Sequence, residues 1–216
     1  MGDPSRLEGM ARYGIRTDDA LGVTVTDLRH LARGLRPDHG LAAALWASGV
    51  HEARILASLV DDPTLVSEAQ MDAWVSVLDS WDVCDAVCGN LFDRTPFALD
   101  KPVEWARREP EFEKRAAFAL MACAAVHRKD LPDAAFGSLL PAIREGATDD
   151  RNYVKKAVSW ALRQIGKRSL ELNARAIHTA EQIERTDARS ARWIARDALR
   201  ELRSDAAQAR LRAPLT

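Results

Sequence analysis

The sequence predicts an all-α chain, a superhelix of about ten helices stacked in pairs, and three observations predict it. Apolar residues recur at three- and four-residue spacing through most of the chain. No segment alternates apolar and polar residues for long, and no hairpin signal such as Asn-Gly lies between β-branched runs. The breaks between helical stretches are short and polar, which makes consecutive helices antiparallel neighbours.

Taken in order, residues 1–9 read as a disordered leader, and a single domain is expected over 10–216. A short helix opens near Thr26, whose hydroxyl suits capping, and carries Leu28, Leu31 and Leu35 before Pro37 ends it. Residues 40–47 and 51–60 give a second and a third, the latter closed by Asp61-Asp62-Pro63. Ser67 with Gln70 reads as a capping box for a fourth helix holding Met71, Trp74, Val75 and Leu78. A fifth starts at Ser80 and runs to about Phe92. Further helices are expected over 103–108, 111–127, 134–145, 150–167, 169–183 and 188–203. Pairs recurring every 35 to 45 residues or so have the spacing of HEAT-like repeats, an α-solenoid with a concave groove. No repeated signature accompanies that rhythm, so an irregular bundle is the alternative.

The net charge of −1 conceals an asymmetry. Residues 1–100 carry 8 Lys+Arg against 16 Asp+Glu, net −8, whereas residues 101–216 carry 23 against 16, net +7. Either the C-terminal half makes a basic surface for a polyanion, or the halves neutralise each other internally. No run of about 18 apolar residues suggests a membrane span. The start, MGDPSRLEGM, lacks the basic and apolar regions of a secretory signal, so a cytoplasmic protein is expected. Cys84, Cys88 and Cys123 read as reduced, buried thiols, with no histidine at metal-ligand spacing and no metal or cofactor implied.

The stretch YVKKAVSWALRQIGKR, residues 153–168, is the most informative. On a helix, Ala157, Val158, Ala161, Leu162 and Ile165 share one side, while Tyr153, Lys156, Trp160, Arg163 and Lys167 share the other. A helix with a complete apolar face has no packing need for a tryptophan among its cations. Either a neighbouring helix covers Trp160, or that side meets an anionic ligand. Three further features stand out. Trp81 and Asp85 lie four apart on one helical face, though Asp85 could be merely solvated. Arg115 opens an apolar run and must snorkel or find an acid, for which Asp85 is a candidate. Arg185, Arg189, Arg192, Arg196, Arg200 and Arg203 form one stripe, neutralised either by Asp187, Asp197 and Glu201 or by phosphates.

These residues resemble the bacterial DNA alkylation repair family, the AlkD-like alkylpurine DNA glycosylases built from HEAT-like repeats. The matching pieces are ARY at 11–13, SWDVCD at 80–85, KRAAFAL at 114–120 and VKKAVSWALRQIGK at 154–167. Their order and separation carry the resemblance, which extends from Met10 to about Arg203. It implies that Trp81, Asp85 and Trp160 line the groove that holds a damaged nucleotide, with Arg115 a DNA contact and Tyr13 at the groove edge. Family members carry helical sequence ahead of the ARY match, where nine residues precede Met10 here, which puts contacts from that element in doubt.

The implied activity is monofunctional hydrolysis of the N-glycosidic bond of N7-alkylguanine or N3-alkyladenine in duplex DNA, leaving an abasic site. Such cationic bases leave without a general acid, which suits a site lacking histidine. Asp85 would stabilise the oxocarbenium and orient water, and the tryptophans would stack on the cation. Tyr153, Lys156, Arg163, Lys167, Arg189, Arg192 and Arg196 are the expected phosphate-side contacts. The expected partner is double-stranded DNA carrying alkylated purines, bound by a monomer that is nucleoid-associated on DNA, with no obligatory protein partner and no membrane. A catalytically inactive DNA-binding scaffold and a module for an acidic protein are the competing readings.

Overall fold

In a computed structural model, residues 2–213 are described, and among them 14 α-helices and two 3₁₀ turns form the chain with no strand. Met1 and residues 214–216, the ends of the expected leader and domain, lie outside the described residues. No helix among the described residues is long and apolar enough to cross a membrane. The chain divides into two compact units, Met1–Thr95 and Pro96–Thr216, where the sequence reading has a single domain over 10–216. Thr95 precedes a proline and takes an extended conformation (φ −78°, ψ 161°), which stops the preceding 3₁₀ turn at the boundary.

The first unit holds α1 (Leu7–Arg12), α2 (Val25–Arg33), α3 (His39–Ala47), α4 (His51–Val60), α5 (Glu68–Ser76) and α6 (Trp81–Asn90). Residues 4–12 are helical, where the sequence reading has a disordered leader over 1–9. Asp3 caps the 3₁₀ turn at Pro4–Arg6 by accepting from Ser5 N at 3.1 Å, and its own N–H donates to Leu21 O at 2.9 Å. Neither element buries a residue, so there is no apolar period to read. Thr24, not Thr26, caps α2: its hydroxyl accepts from Asp27 N at 3.1 Å and donates to Asp27 Oδ2 at 2.7 Å. Ser67 caps α5 as expected, accepting from Gln70 N at 3.1 Å. The core of this unit is a stacked Trp46–Trp74 pair, 4.0 Å between centroids and 2° between planes, with Phe92 tilted against Trp74 at 6.1 Å.

The second unit holds α7 (Asp100–Trp105), α8 (Glu111–His127), α9 (Asp133–Gly137), α10 (Leu140–Gly146), α11 (Asn152–Gly166), α12 (Leu170–Glu184), α13 (Arg189–Leu202) and α14 (Asp205–Arg212). α8 is buried from Arg115 to Ala125 and packs along α11. The sequence predicts one helix over 134–145, but the structure has two. Pro141 has no N–H to give the carbonyl of Gly137, and its ring would collide there. The freed carbonyl accepts instead from Arg175 Nη2 at 3.0 Å, and a Cβ on Gly137 would meet Arg175 Nη1 at 2.2 Å.

The repeat is visible in the bonds between elements. In the second unit Arg115 reaches Tyr153, Ser159 reaches Asp197, Arg163 reaches Glu201, Arg144 reaches Gln182 and Arg175 reaches Gly137, each across 38 residues. α8, α11 and α13 are therefore equivalent helices laid parallel, and α9/α10 and α12 are theirs on the other layer. In the first unit the offset is 31 or 32 residues, from Leu21 to Glu52, His51 to Asp82 and Asn90 to Ser58. That is shorter than the 35 to 45 residues expected from helix spacing.

Candidate nucleic-acid interface

In the first unit the site is built at the start of α6. Ser80 takes the N-cap position, but its hydroxyl donates to Asp82 Oδ1 at 2.6 Å instead of capping an amide. Asp82 Oδ2 lies 2.8 Å from Nε2 of His51, the first residue of α4, which is 6% exposed. Burial lowers the His51 pKa, but the hydrogen bond and charge of Asp82, with Glu52 and Asp79 nearby, outweigh it and leave it raised. Burial likewise raises Asp82, and its bonds from His51 and Ser80 bring it below the ordinary carboxylate value. The His51–Asp82 hydrogen bond, an ion pair when the histidine is protonated, therefore fixes the first turn of α6 to α4. Sequence reasoning missed His51, because a partner 31 residues away leaves no local spacing to detect.

That anchored turn presents Trp81 and, one turn on, Asp85, both half-buried on one helical face. Trp81 Nε1 donates to Tyr13 O at 3.1 Å, so the backbone at the C-terminus of α1 sets the indole's orientation. Tyr13 itself is 79% exposed: the structure brings its carbonyl to the site residue and leaves its ring in water. Cys84, Cys88 and Cys123 are buried and form no disulfide among the described residues. A second buried acid, Glu52, supports the loop ahead of α2, accepting from the N–H groups of Leu21 (2.8 Å), Gly22 (2.7 Å) and Val23 (3.2 Å).

In the second unit Arg115 is 5% exposed, and its Nη1 donates to Tyr153 O at 2.7 Å. That bond ties Arg115 to the first turn of α11, while the resemblance implies a DNA contact for the same guanidinium. Tyr153 turns its ring to Phe112, 5.4 Å between centroids. Trp160 is half-buried. With the Gln164 amide oriented to satisfy its neighbours, its oxygen accepts from Trp160 Nε1 at 3.2 Å and from Lys167 Nζ at 3.3 Å.

The cations on α11 do not all face an open surface. Arg163 bonds Glu201 and lies 3.4 Å from Asp197, and Lys167 lies 2.5 Å from Glu201. Burial raises the Glu201 pKa, and these two cations pull it below its ordinary value. Arg163 and Lys167 thus already hold acids that α13 supplies one repeat away. Arg192 lies 3.0 Å from Asp187, Arg200 pairs with Asp197, and Arg203 pairs with Glu181. Lys156, Arg189 and Arg196 are exposed and make no ion pair among the described residues. Among the described residues, no group of three or more His, Cys, Asp or Glu could hold a metal ion.

Residues 1–202 match the sequence profile of the DNA alkylation repair enzyme family. A solved structure described as "a new family of proteins related to the HEAT-like repeat DNA glycosylases with affinity for branched DNA structures" matches with a TM-score of 0.75 at 18% identity. The match covers 93% of this chain and 91% of that one, and shows that the two share a fold. No curated protein matches the chain.

Proposed function

Because the chain belongs to the DNA alkylation repair enzyme family, we propose that it hydrolyses the N-glycosidic bond of cationic N7- and N3-alkylpurines in duplex DNA and leaves an abasic site. The observation that carries this reading is the aromatic and the carboxylate one turn apart on α6, with the indole fixed by Tyr13 O.

An alkylated N7 or N3 gives the purine a formal positive charge, so the base departs as a neutral molecule without prior protonation. As the C1′–N bond lengthens, positive charge moves to the sugar. A carboxylate held there stabilises the transition state more than the ground state, because the attraction grows as the bond breaks. In this reading Asp85 supplies that charge and orients the water that attacks C1′. Trp81 supplies an aromatic face to the cationic nucleotide, a contact contributing roughly 0.5–2 kcal/mol of preference for a charged over a neutral base. Arg115 acts as a positioning residue through Tyr153, and Lys156, Arg189 and Arg196 are the proposed phosphate contacts.

The test is base release from a duplex carrying one N7-methylguanine, comparing wild type with Asp85→Asn. Release by wild type and its loss in the variant support the reading. Equal rates would make Asp85 structural. A second reading, a DNA-binding protein without catalysis, is favoured by the described affinity of the structural neighbour for branched DNA. It takes over if wild type binds DNA and releases no base.

A further inference from the structure

The exposed side of α13 carries a residue that the glycosylase reading does not use. Trp193 is 41% exposed, although α13 already buries Ala191, Ile194, Ala195, Ala198 and Leu202 completely. A helix with so full an apolar face does not need this ring for its core. Trp193 lies in one stripe with Arg189, Arg196 and Arg200, four before, three after and seven after it. Together with Arg192 and Asp197 they line an open depression of ≈ 500 Å³. Lys155 of α11 places Nζ 5.6 Å from the ring centroid, adding another cation to the rim.

The acids nearby do not cancel this charge. Asp187 engages Arg192, and Asp197 is shared between Arg200 and Arg163 and accepts from Ser159 Oγ at 2.7 Å. Arg189 and Arg196, which flank the indole along the helix axis, are left with no acid among the described residues. A flat aromatic surface between two uncommitted guanidiniums matches a nucleobase with a phosphate on either side. A duplex could use the arginines but would offer the indole no base face, since its bases are stacked on each other.

Resting on the reading that this protein binds DNA, we propose that the Trp193 ledge binds a single-stranded DNA segment, one base stacked on the indole and the flanking phosphates on Arg189 and Arg196. The ledge would then favour DNA in which a duplex adjoins unpaired strand.

The experiment compares, by fluorescence anisotropy, a blunt duplex containing one N7-methylguanine with the same duplex carrying a single-stranded thymidine tail. Wild type should bind the tailed probe more tightly. Trp193→Ala should weaken tailed binding by about 5- to 100-fold, the range for losing one base–aromatic stack, and leave blunt binding within about twofold. Trp193→Phe should retain most of the preference, which guards against a folding artefact. No preference in wild type, an equal loss on both probes, or displacement of the tail as readily by polyglutamate as by oligothymidylate would overturn the proposal. If the blunt probe is neither bound nor hydrolysed while tail binding still requires Trp193, the glycosylase reading fails and the ledge stands.

Discussion

The cations of α11 and α13 divide into two sets that should behave differently in salt. Lys156, Arg189 and Arg196 have no described acidic partner, so a phosphate that meets them releases its counterion. Arg163 and Lys167 already hold Asp197 and Glu201 at 2.5 to 3.4 Å, and a phosphate would have to displace those acids. Each neutralised phosphate contributes about 0.9 to the slope of log K against log[salt], so removing the first three cations together should flatten it by about 2.7. The Arg163→Ala/Lys167→Ala variant should change the slope by less than about 1. Its effect should appear as lost stability, about 1–2 kcal/mol, because Glu201 loses both of its cations while Asp197 keeps Arg200 and Ser159. The assay is anisotropy with a duplex probe from about 50 to 300 mM salt, paired with thermal melts. If the Arg163/Lys167 variant flattens the slope as much as the triple variant, phosphates displace the acids and the division is wrong.

Three further expectations follow from the structure. Asp85→Asn should slow excision by about 10²-fold or more while binding stays equal or tightens, since a carboxylate near phosphates repels them; wild-type single-turnover rates in the variant would remove Asp85 from the chemistry. The His51–Asp82 pair should stabilise the protein most at mildly acidic pH. The histidine, raised on folding, contributes below its ordinary value of about 6.5 and loses this as pH rises through the folded value. The aspartate, lowered on folding, contributes above its ordinary value of about 3.9 and fails only in stronger acid. The gap in melting temperature between wild type and His51→Gln should thus shrink from pH 5.5 to 9, about the span that crosses the histidine's titration, and a constant gap would exclude the ion pair. Gly146→Ala would put a Cβ 2.3 Å from Phe118 Cζ, on a ring with no exposure, at about 1–3 kcal/mol. An unchanged melting temperature would show that the ring can yield.

Much of the helical framework was legible because periodicity and caps are local. The spans His51–Val60 and Glu111–His127 agree with the sequence reading residue for residue, and Ser67 and Ser169 cap where hydroxyls precede apolar periods. The break at Pro141 was available in the sequence and lost to the apolar rhythm on either side. The exposed helices α1 and α14 bury nothing and leave no period. For the site, Trp81 with Asp85 on one face follows from four-residue spacing alone. The employment of Arg115, Arg163 and Lys167 does not, because each finds its partner one repeat away and a single helix says nothing about its neighbours.

The bond from Trp81 to the carbonyl of Tyr13 sets which features of the site mutation can reach. The oxygen belongs to the main chain, so every amino acid at position 13 offers it, and the exposed phenol can drift without releasing the indole. Comparing sequences at positions 13 and 81 would then reveal no covariation, although the two are physically coupled. What the coupling requires is the path of the backbone: a deletion within α1 would free Trp81 where no point change at Tyr13 does.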